Sequence, residues 1–215
     1  AYAYRALGCH LVQKGKTKAH RFATWAPNAR AVSVVGDFNG WDASAHPMNS
    51  FQNTGVWQLH IEGLQDGEIY KYAITTPEGN LQLKADPFAF SSELRPHDAS
   101  RICDLSTYKW KDARWLRKRK NTPPYNKPVN IYEMHLGSWR EKSGYAEIAE
   151  ELAQYLVEMG YTHVEFMPLA EYPLDMSWGY QITSFLAATA RYGTPQELMY
   201  LIDTLHLAGI GVILD

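Results

Sequence analysis

Residues 145–167, YAEIAEELAQYLVEMGYTHVEFM, decide how the second half of the chain folds. Tyr145, Ile148, Ala149, Leu152, Tyr155, Leu156 and Met159 fall at offsets 0, 3, 4, 7, 10, 11 and 14, one apolar stripe of an amphipathic helix. Gly160 then stands where helices commonly close in the left-handed conformation. The period shortens at once, and 162–167 reads as a strand. Upstream, 129–136 is another strand candidate. Downstream, Thr194-Pro195-Gln196-Glu197 offers an N-cap, a proline at the first helical position and the reciprocal glutamate of a capping box. The helix it opens is expected to bury Leu198, Leu201, Ile202 and Leu205 and to end near Gly209. Residues 210–215 are nearly all apolar and read as a third strand covered on both faces. The order βαβαβ means parallel strands joined by right-handed crossovers. Three strands fit an open doubly wound sheet and a barrel equally well.

One connection is out of scale. Residues 168–193 separate strand from helix by 26 positions, where such loops usually run about 2–6. The content is aromatic and polar: Glu171, Tyr172, Asp175, Trp178, Tyr180, Phe185, Arg191 and Tyr192. A long loop at the carboxyl end of a parallel strand is where α/β enzymes place their sites. It reads as a binding loop.

The first half has a different rhythm. Residues 20–26, 31–35, 56–61 and 69–74 are short, mostly alternating runs rich in β-branched and aromatic side chains. Turn signals separate them at Pro27-Asn28, Asn39-Gly40, Asn53-Thr54-Gly55, Asp66-Gly67 and Glu78-Gly79-Asn80. This pattern predicts an antiparallel, immunoglobulin-like β-sandwich over residues 1–106. Residues 107–128 follow as an expected linker, with Trp110, Trp115, a basic run at 117–120 and prolines Pro123, Pro124 and Pro128. With no accompanying motif, the basic run reads as a solvated face rather than a phosphate patch. Residues 129–215 carry the parallel β/α units.

Composition agrees with two domains. The 215 residues are 46% apolar and 13% aromatic, enough for packed cores and against global disorder. Residues 1–125 hold 17 Lys/Arg against 11 Asp/Glu, and residues 126–215 hold 4 against 12, so the charge sign reverses near the junction. The total of −2 gives no pull toward nucleic acid. No apolar run approaches membrane-span length, no signal pattern opens the chain, and no membrane partner is expected. Two cysteines, Cys9 and Cys103, predict neither a disulfide framework nor a zinc site, and a cytoplasmic location is expected. Both ends read as cut: Ala1 stands in place of Met, and Asp215 directly follows an apolar run.

Phosphate-loop, dinucleotide, zinc-protease and serine-hydrolase motifs are missing from the sequence, so neither cofactor nor metal is expected. Carboxylates at strand ends are more informative. Asp215 closes an apolar strand, where a charge needs a partner or a function. Glu171 and Asp175 lie in the long loop. Paired carboxylates serve glycoside chemistry, and the C–H face of a pyranose packs on rings such as Trp139, Trp178, Tyr180 and Tyr192. Each ring serves a core equally well. His135, ending the first parallel strand, suits a substrate contact or a structural hydrogen bond. In the first half, Asn39-Gly40 fits a tight hairpin turn projecting Trp41, and Lys71 interrupts an aromatic strand. They read as a sugar platform, or as a hydrophobic plug and a snorkelling lysine.

These residues carry a family resemblance. FATWAPNA at 22–29, VSVVGDFNGWD at 32–42, Tyr70-Lys71-Tyr72 and KADPFA at 84–89 resemble the carbohydrate-binding module that precedes the barrel in branching and debranching α-glucan enzymes. IYEMHLGSW at 131–139, SWGYQ at 177–181 and RYGTP at 191–195 resemble the start of the α-amylase-type (β/α)8 barrel of glycogen branching enzymes. The resemblance covers essentially the whole chain. It implies cleavage of an α-1,4-glucan bond and transfer of the chain to a 6-hydroxyl with retention, through a covalent glycosyl-enzyme and without a cofactor. It implies α-glucan as the partner and a monomeric parent enzyme.

Residue by residue, it makes Asp215 the supporting aspartate of the first conserved barrel motif and places Tyr180 beneath the sugar beside the cleaved bond. Trp178, Asp175, His135 and Trp139 join them as substrate-binding candidates, and Trp41, Lys71 and Asn80 form the module surface. The nucleophile, the acid/base and the stabilising aspartate follow later strands in this family, so none is expected in this chain. A barrel takes about 250 residues, and the three strands are expected to be inactive alone. Near Gly79, where tight-binding modules carry a second aromatic, this sequence has Asn80 and Leu81. A stand-alone glucan-binding chain and a fragment of a debranching hydrolase are the alternatives.

Overall fold

The computed structural model describes residues 2–15, 17–123 and 126–215, so Pro124 lies outside the described residues. The chain divides into two compact units, Ala1–Asp104 with Ser184–Ala187, and Leu105–Thr183 with Ala188–Asp215.

Unit 1 opens on a short helix, α1 (Ala3–Ala6), and continues as strands. One antiparallel sheet has the order β1 (Gly8–Lys14), β2 (Thr17–Trp25), β5 (Val56–Glu62), β4 (Asn49–Phe51). The other has the order β3 (Ala31–Gly36), β6 (Ile69–Thr75), β9 (Ser100–Arg101), β8 (Ser91–Ser92), with β7 (Leu81–Lys84) also paired to β6. The pattern at 8–14 gives little sign of β1, since His10, Gln13 and Lys14 break its apolar content; pairing with β2 from Gly8↔Ala23 to Lys14↔Thr17 recruits it. Alternation puts Phe22 and Ile61 of one sheet and Val32, Val34, Tyr70 and Tyr72 of the other into a single core.

That core encloses a carboxylate. Asp86 is fully buried, and its Oδ2 accepts the hydroxyls of Tyr70 (2.7 Å) and Tyr72 (3.0 Å). Oδ1 accepts the backbone N–H of Phe88 at 2.8 Å. Burial pushes the Asp86 carboxyl up, and these three donors pull it back. Burial and the adjacent Asp86 push both tyrosine hydroxyls well above their ordinary range, so they remain donors.

The Asn39-Gly40 hairpin expected from sequence is replaced by a 3-10 turn over Asp37–Asn39, closed by Gly40 at φ 61°. The reason lies in Asn39. Its Oδ1 accepts the Gly36 N–H at 3.0 Å and its Nδ2 donates to the Val34 carbonyl at 3.0 Å, folding the chain back on β3.

Unit 2 contains a parallel sheet of order β10 (Ile131–Met134), β11 (His163–Phe166), β14 (Gly211–Leu214). Helix α3 (Tyr145–Glu158) crosses from β10 to β11 and buries Tyr145, Ile148, Ala149, Leu152 and Leu156. Helix α4 (Pro195–Leu207) leads into β14; the Thr194 side chain accepts the Glu197 N–H as the capping box requires. Leu201 and Leu205 are buried, whereas Leu198 and Ile202 are only partly covered. Of the third strand, expected to be covered on both faces, Gly211 is buried, Val212 and Ile213 are half-buried and Leu214 is 57% exposed. The long connection holds β12 (Ala170–Glu171), a 3-10 turn and β13 (Ser184–Ala188).

Residues 107–128 contain a helix, α2 (Ala113–Asn121). Asp203, buried on α4, accepts the Tyr108 hydroxyl (2.9 Å) and the Lys111 N–H (3.1 Å). The His206 ring lies 2.7 Å from Asp112 Oδ2 and stacks on Trp115 at 3.7 Å. This segment is fastened to α4 by buried polar contacts.

Replacing Asp86 by Ala orphans the buried Tyr70 hydroxyl and the Phe88 N–H and leaves the Tyr72 hydroxyl only the Ala23 carbonyl at 3.4 Å, so Asp86→Ala is expected to cost unit 1 roughly 3 kcal/mol. Urea unfolding followed by near-ultraviolet circular dichroism reads this as a lowered midpoint. An unchanged midpoint contradicts the assignment.

Candidate functional site

The parallel register brings three strand ends level. Met134, Phe166 and Leu214 are partners across the sheet, so His135, Met167 and Asp215 emerge together at its carboxyl end. Met167 N–H donates to the Met134 carbonyl (3.0 Å) and Asp215 N–H to the Phe166 carbonyl (3.1 Å), carrying the ladder one residue further.

The long connection delivers Trp178 and Tyr180 to this end. Arg191, almost fully buried, is the fastening point. Its Nη1 lies 2.6 Å from Glu171 Oε1, while Nε and Nη2 each lie 2.8 Å from Asp175 Oδ1. Its guanidinium carbon sits 3.8 Å from the centre of the Tyr172 ring. Glu171 is buried too, and its Oε2 accepts the Ala190 N–H at 2.6 Å. Asp175 opens the 3-10 turn Asp175–Ser177, which Trp178 closes in the left-handed conformation at φ 54°. Gly179 follows at φ 95°, and a Cβ there would meet the Pro168 carbonyl oxygen at 2.6 Å, so only glycine passes. Tyr180 then donates its hydroxyl to Asp215 Oδ2 at 2.6 Å. The path runs from buried guanidinium to tight turn to the end of β14.

His135 lies beside this pair. Its Nδ1 is 3.0 Å from Ser138 Oγ, and its ring centre is 6.3 Å from that of Trp178. Trp178 and Tyr180 are 60% and 54% exposed, open ring surface rather than core. Glu133 and Glu165 pair in register on β10 and β11, a like-charge pair that the sequence reading did not single out; parallel pairing of two central glutamates was its only signal. Among the described residues no cluster of His, Cys, Asp and Glu is arranged to hold a metal ion.

The candidates are therefore not all together. Tyr180, Asp215, Trp178, His135 and, through Arg191, Asp175 converge. Trp139 lies in the core, its ring centre 6.1 Å from that of Tyr155, with the Arg140 guanidinium over it at 4.6 Å. Tyr192 is likewise buried against Tyr145. In unit 1, Trp41 adopts φ 62° and donates its indole N–H to Asp37 Oδ1 at 2.8 Å. Lys71 is paired with Asp98, a partner 27 residues away with no local signal. Both belong to the Gly36/Tyr70 end of the β3–β6 ladder. Asn80 is in the turn past the other end, about 17 Å of strand from Lys71.

The chain thus carries an all-β unit with a strand-borne polar–aromatic surface and parallel β/α units whose strand ends hold a tyrosine–aspartate pair. The comparisons with known proteins are more particular. Residues 6–89 match carbohydrate-binding module 48, the isoamylase N-terminal domain. The chain is 53% identical over 220 residues to the 1,4-alpha-glucan branching enzyme GlgB of Desulfitobacterium hafniense, covering 100% of this chain and 35% of the relative. It is 49% identical over 218 residues to GlgB of Bacillus cereus, covering 99% and 34%. The chain thus spans about a third of the length of the curated relatives it matches. Among solved structures, the pullulanase of Bacillus acidopullulyticus superimposes with a TM-score of 0.74 at 25% identity, over 97% of this chain and 29% of that one. A putative alpha amylase from Salmonella typhimurium gives 0.75 at 24% identity, over 98% and 32%, a likeness of fold.

The hydrogen bond to Asp215 pushes the Tyr180 hydroxyl up to about 12, so the protonated form is favoured. With the folded value above the ordinary one, this contribution is complete below about pH 10 and fades as pH rises through about 12. The difference in phenolate absorbance at 295 nm between the wild type and Tyr180→Phe is expected to titrate near the upper value. A midpoint near 10 contradicts the pairing.

Proposed function

We propose that this chain is the N-terminal part of a glycogen branching enzyme. Residues 1–106 act as its α-glucan-binding module, 107–128 as the connection, and 129–215 as the first βαβαβ portion of an α-amylase-type (β/α)8 barrel. The parent enzyme cleaves an α-1,4 bond and passes the freed chain to a 6-hydroxyl with retention, in the cytoplasm, as a monomer and without a cofactor. The observation that carries this reading is the 2.6 Å bond from Tyr180 to Asp215 at the carboxyl end of the parallel strands, beside Trp178 and His135.

The physical roles follow from that placement. Asp215 fixes the Tyr180 hydroxyl, and hence the ring plane, so that the apolar C–H face of one glucose unit lies against it. Trp178 offers a second exposed face, and His135 and Asp215 accept or donate to sugar hydroxyls. Asp175 serves through the turn it opens. A glucan is neutral, so the acidic strand ends bind by hydrogen bonds rather than by charge. Trp139 acts through packing. On unit 1, Trp41 and Lys71 form one end of a glucan-contacting surface, with Asn80 and Leu81 contributing little ring area. The covalent steps belong to carboxylates outside this segment.

Two measurements test this. Native electrophoresis in glycogen-containing gels is expected to retard the chain, with Trp41→Ala and Trp178→Ala each weakening binding about ten-fold. Retardation unaffected by either change contradicts the site. The isolated chain is expected to leave the iodine stain of amylose unchanged, and a clear loss of stain contradicts the assignment of its chemistry to later strands.

A further inference from the structure

Two rows of side chains cross the β2–β5–β4 sheet of unit 1 on the face that points away from its core. Register pairs Trp25 with Val56 and Val56 with Phe51, and in the next row Ala23 with Gln58 and Gln58 with Asn49. Residues directly opposite one another share a face. The alternate residues Phe22, Trp57, Leu59 and Ile61 pack in the core, so these rows point outward. Two strand spacings set Trp25 and Phe51 about 10 Å apart. Trp25 is 61% exposed and Phe51 45%.

Both rings stand on a fastened backbone. The hairpin after Phe51 turns through Gln52 and Asn53 in the left-handed region. Thr54 closes it, donating its N–H (3.0 Å) and its hydroxyl (2.6 Å) to the Phe51 carbonyl. At Gly55, φ 78°, a Cβ would meet Pro27 Cβ at 2.7 Å and Trp25 Nε1 at 3.1 Å. The indole edge therefore lies against the hairpin that carries Phe51, and the two rings belong to one surface. The Ala26 N–H donates to the Gly55 carbonyl (2.8 Å) and the Trp57 indole N–H to the Ala26 carbonyl (3.0 Å), tying the end of β2 to the same turn. Trp41 likewise directs its indole N–H to Asp37. The Trp25 indole N–H and the side-chain amides of Gln58 and Asn49, by contrast, have no hydrogen-bond partner among the described residues.

Neither row holds an ionised side chain. A charged ligand finds no counter-charge here. A neutral chain with apolar C–H faces and hydroxyl rims finds two ring surfaces, an unused indole donor and two unused amides. All six residues fall within the stretch 6–89 that matches carbohydrate-binding module 48. We propose, on the reading of residues 1–106 as an α-glucan-binding module, that this face is a second α-glucan-binding surface, its two rings taking different glucose units of one chain. Lys71, of the Trp41 surface, faces outward from the β3–β6 sheet on the other side of the core. The two surfaces therefore engage separate chains or distant parts of one chain, and a branched glucan is held at two points.

Titration of the chain with maltoheptaose, followed by the indole N–H resonances, tests this; the signal missing from Trp25→Phe identifies Trp25. The Trp25 resonance is expected to shift saturably, and to keep that response in Trp41→Ala. Phe51→Ala is expected to weaken the Trp25 response about ten-fold and to change the Trp41 response less than about two-fold. Circular dichroism confirms that the variants fold. A Trp25 response that vanishes in Trp41→Ala, or that Phe51→Ala leaves unchanged, overturns the proposal. So does a Trp25 resonance that moves on dilution of the protein and not with oligosaccharide, which makes the face a contact between copies. With Trp41 responding and Trp25 silent up to about 20 mM, the second surface falls and the module reading stands. With Trp25 responding and Trp41 silent, the second surface stands and the first falls. Silence of both overturns both.

Discussion

A buried arginine between two carboxylates sets the geometry of the strand-end site. Arg191 is held by Glu171 and Asp175 and lies over the ring of Tyr172. Taking a guanidinium out of water is costly unless its donors are matched; here Nε and Nη1 donate to Asp175 and Glu171 at 2.6–2.8 Å, while Nη2 lies 2.8 Å from Asp175 Oδ1 as an ion-pair contact without a hydrogen bond. The match ties residue 191, just before α4, to residues 171 and 175 early in the same long connection. That tie, together with the β12–β13 pairing and the bond from the Tyr145 N–H to the Tyr192 carbonyl (2.7 Å), offsets the conformational entropy of a 26-residue connection. With it, the 3-10 turn, the left-handed Trp178 and the constrained Gly179 follow in sequence, and Tyr180 reaches Asp215.

Unit 1 solves a similar problem with a neutralising cage rather than an ion pair. Among the described residues no ion pair forms at Asp86; two tyrosine hydroxyls and a backbone N–H satisfy it. The two hydroxyl donors come from alternate residues of β6, so Tyr70 and Tyr72 face the core while Lys71 between them faces outward to Asp98. One strand thus supplies both the internal fastening and part of the outer surface. The glucan-contacting role proposed for Lys71 and Trp41 rests on a strand whose other face is pinned.

Much of this was legible in the sequence where the signal is local. The apolar stripe of α3, the capping box of α4 and the alternation in β2, β3, β5 and β6 each depend on neighbours a few residues apart, and the structure reproduces them with shifts of one to three residues. The family resemblance singled out Tyr180 and Asp215 one by one, but the bond between them spans 35 residues and leaves no local trace. What periodicity misses is long-range pairing. The anchoring of Tyr108 and Lys111 by Asp203 spans more than 90 positions and leaves no trace in the local pattern. Trp139 and Trp178 are indistinguishable by type, yet one packs on Tyr155 and the other is exposed. The Asn39 side chain, by bonding back to Val34 and Gly36, turned an expected hairpin into a 3-10 turn.

The dependence of the strand-end site on Arg191 has a direct readout in the indole N–H resonances of the seven tryptophans. In Arg191→Lys, the two directed hydrogen bonds of the planar guanidinium, to Glu171 and to Asp175, are lost while the charge remains. The account predicts that the Trp178 resonance shifts or broadens and no longer responds to maltoheptaose, while the Trp41 resonance of unit 1 keeps its position and its response. A Trp178 resonance that stays in place and responds to the oligosaccharide as in the wild type would contradict it.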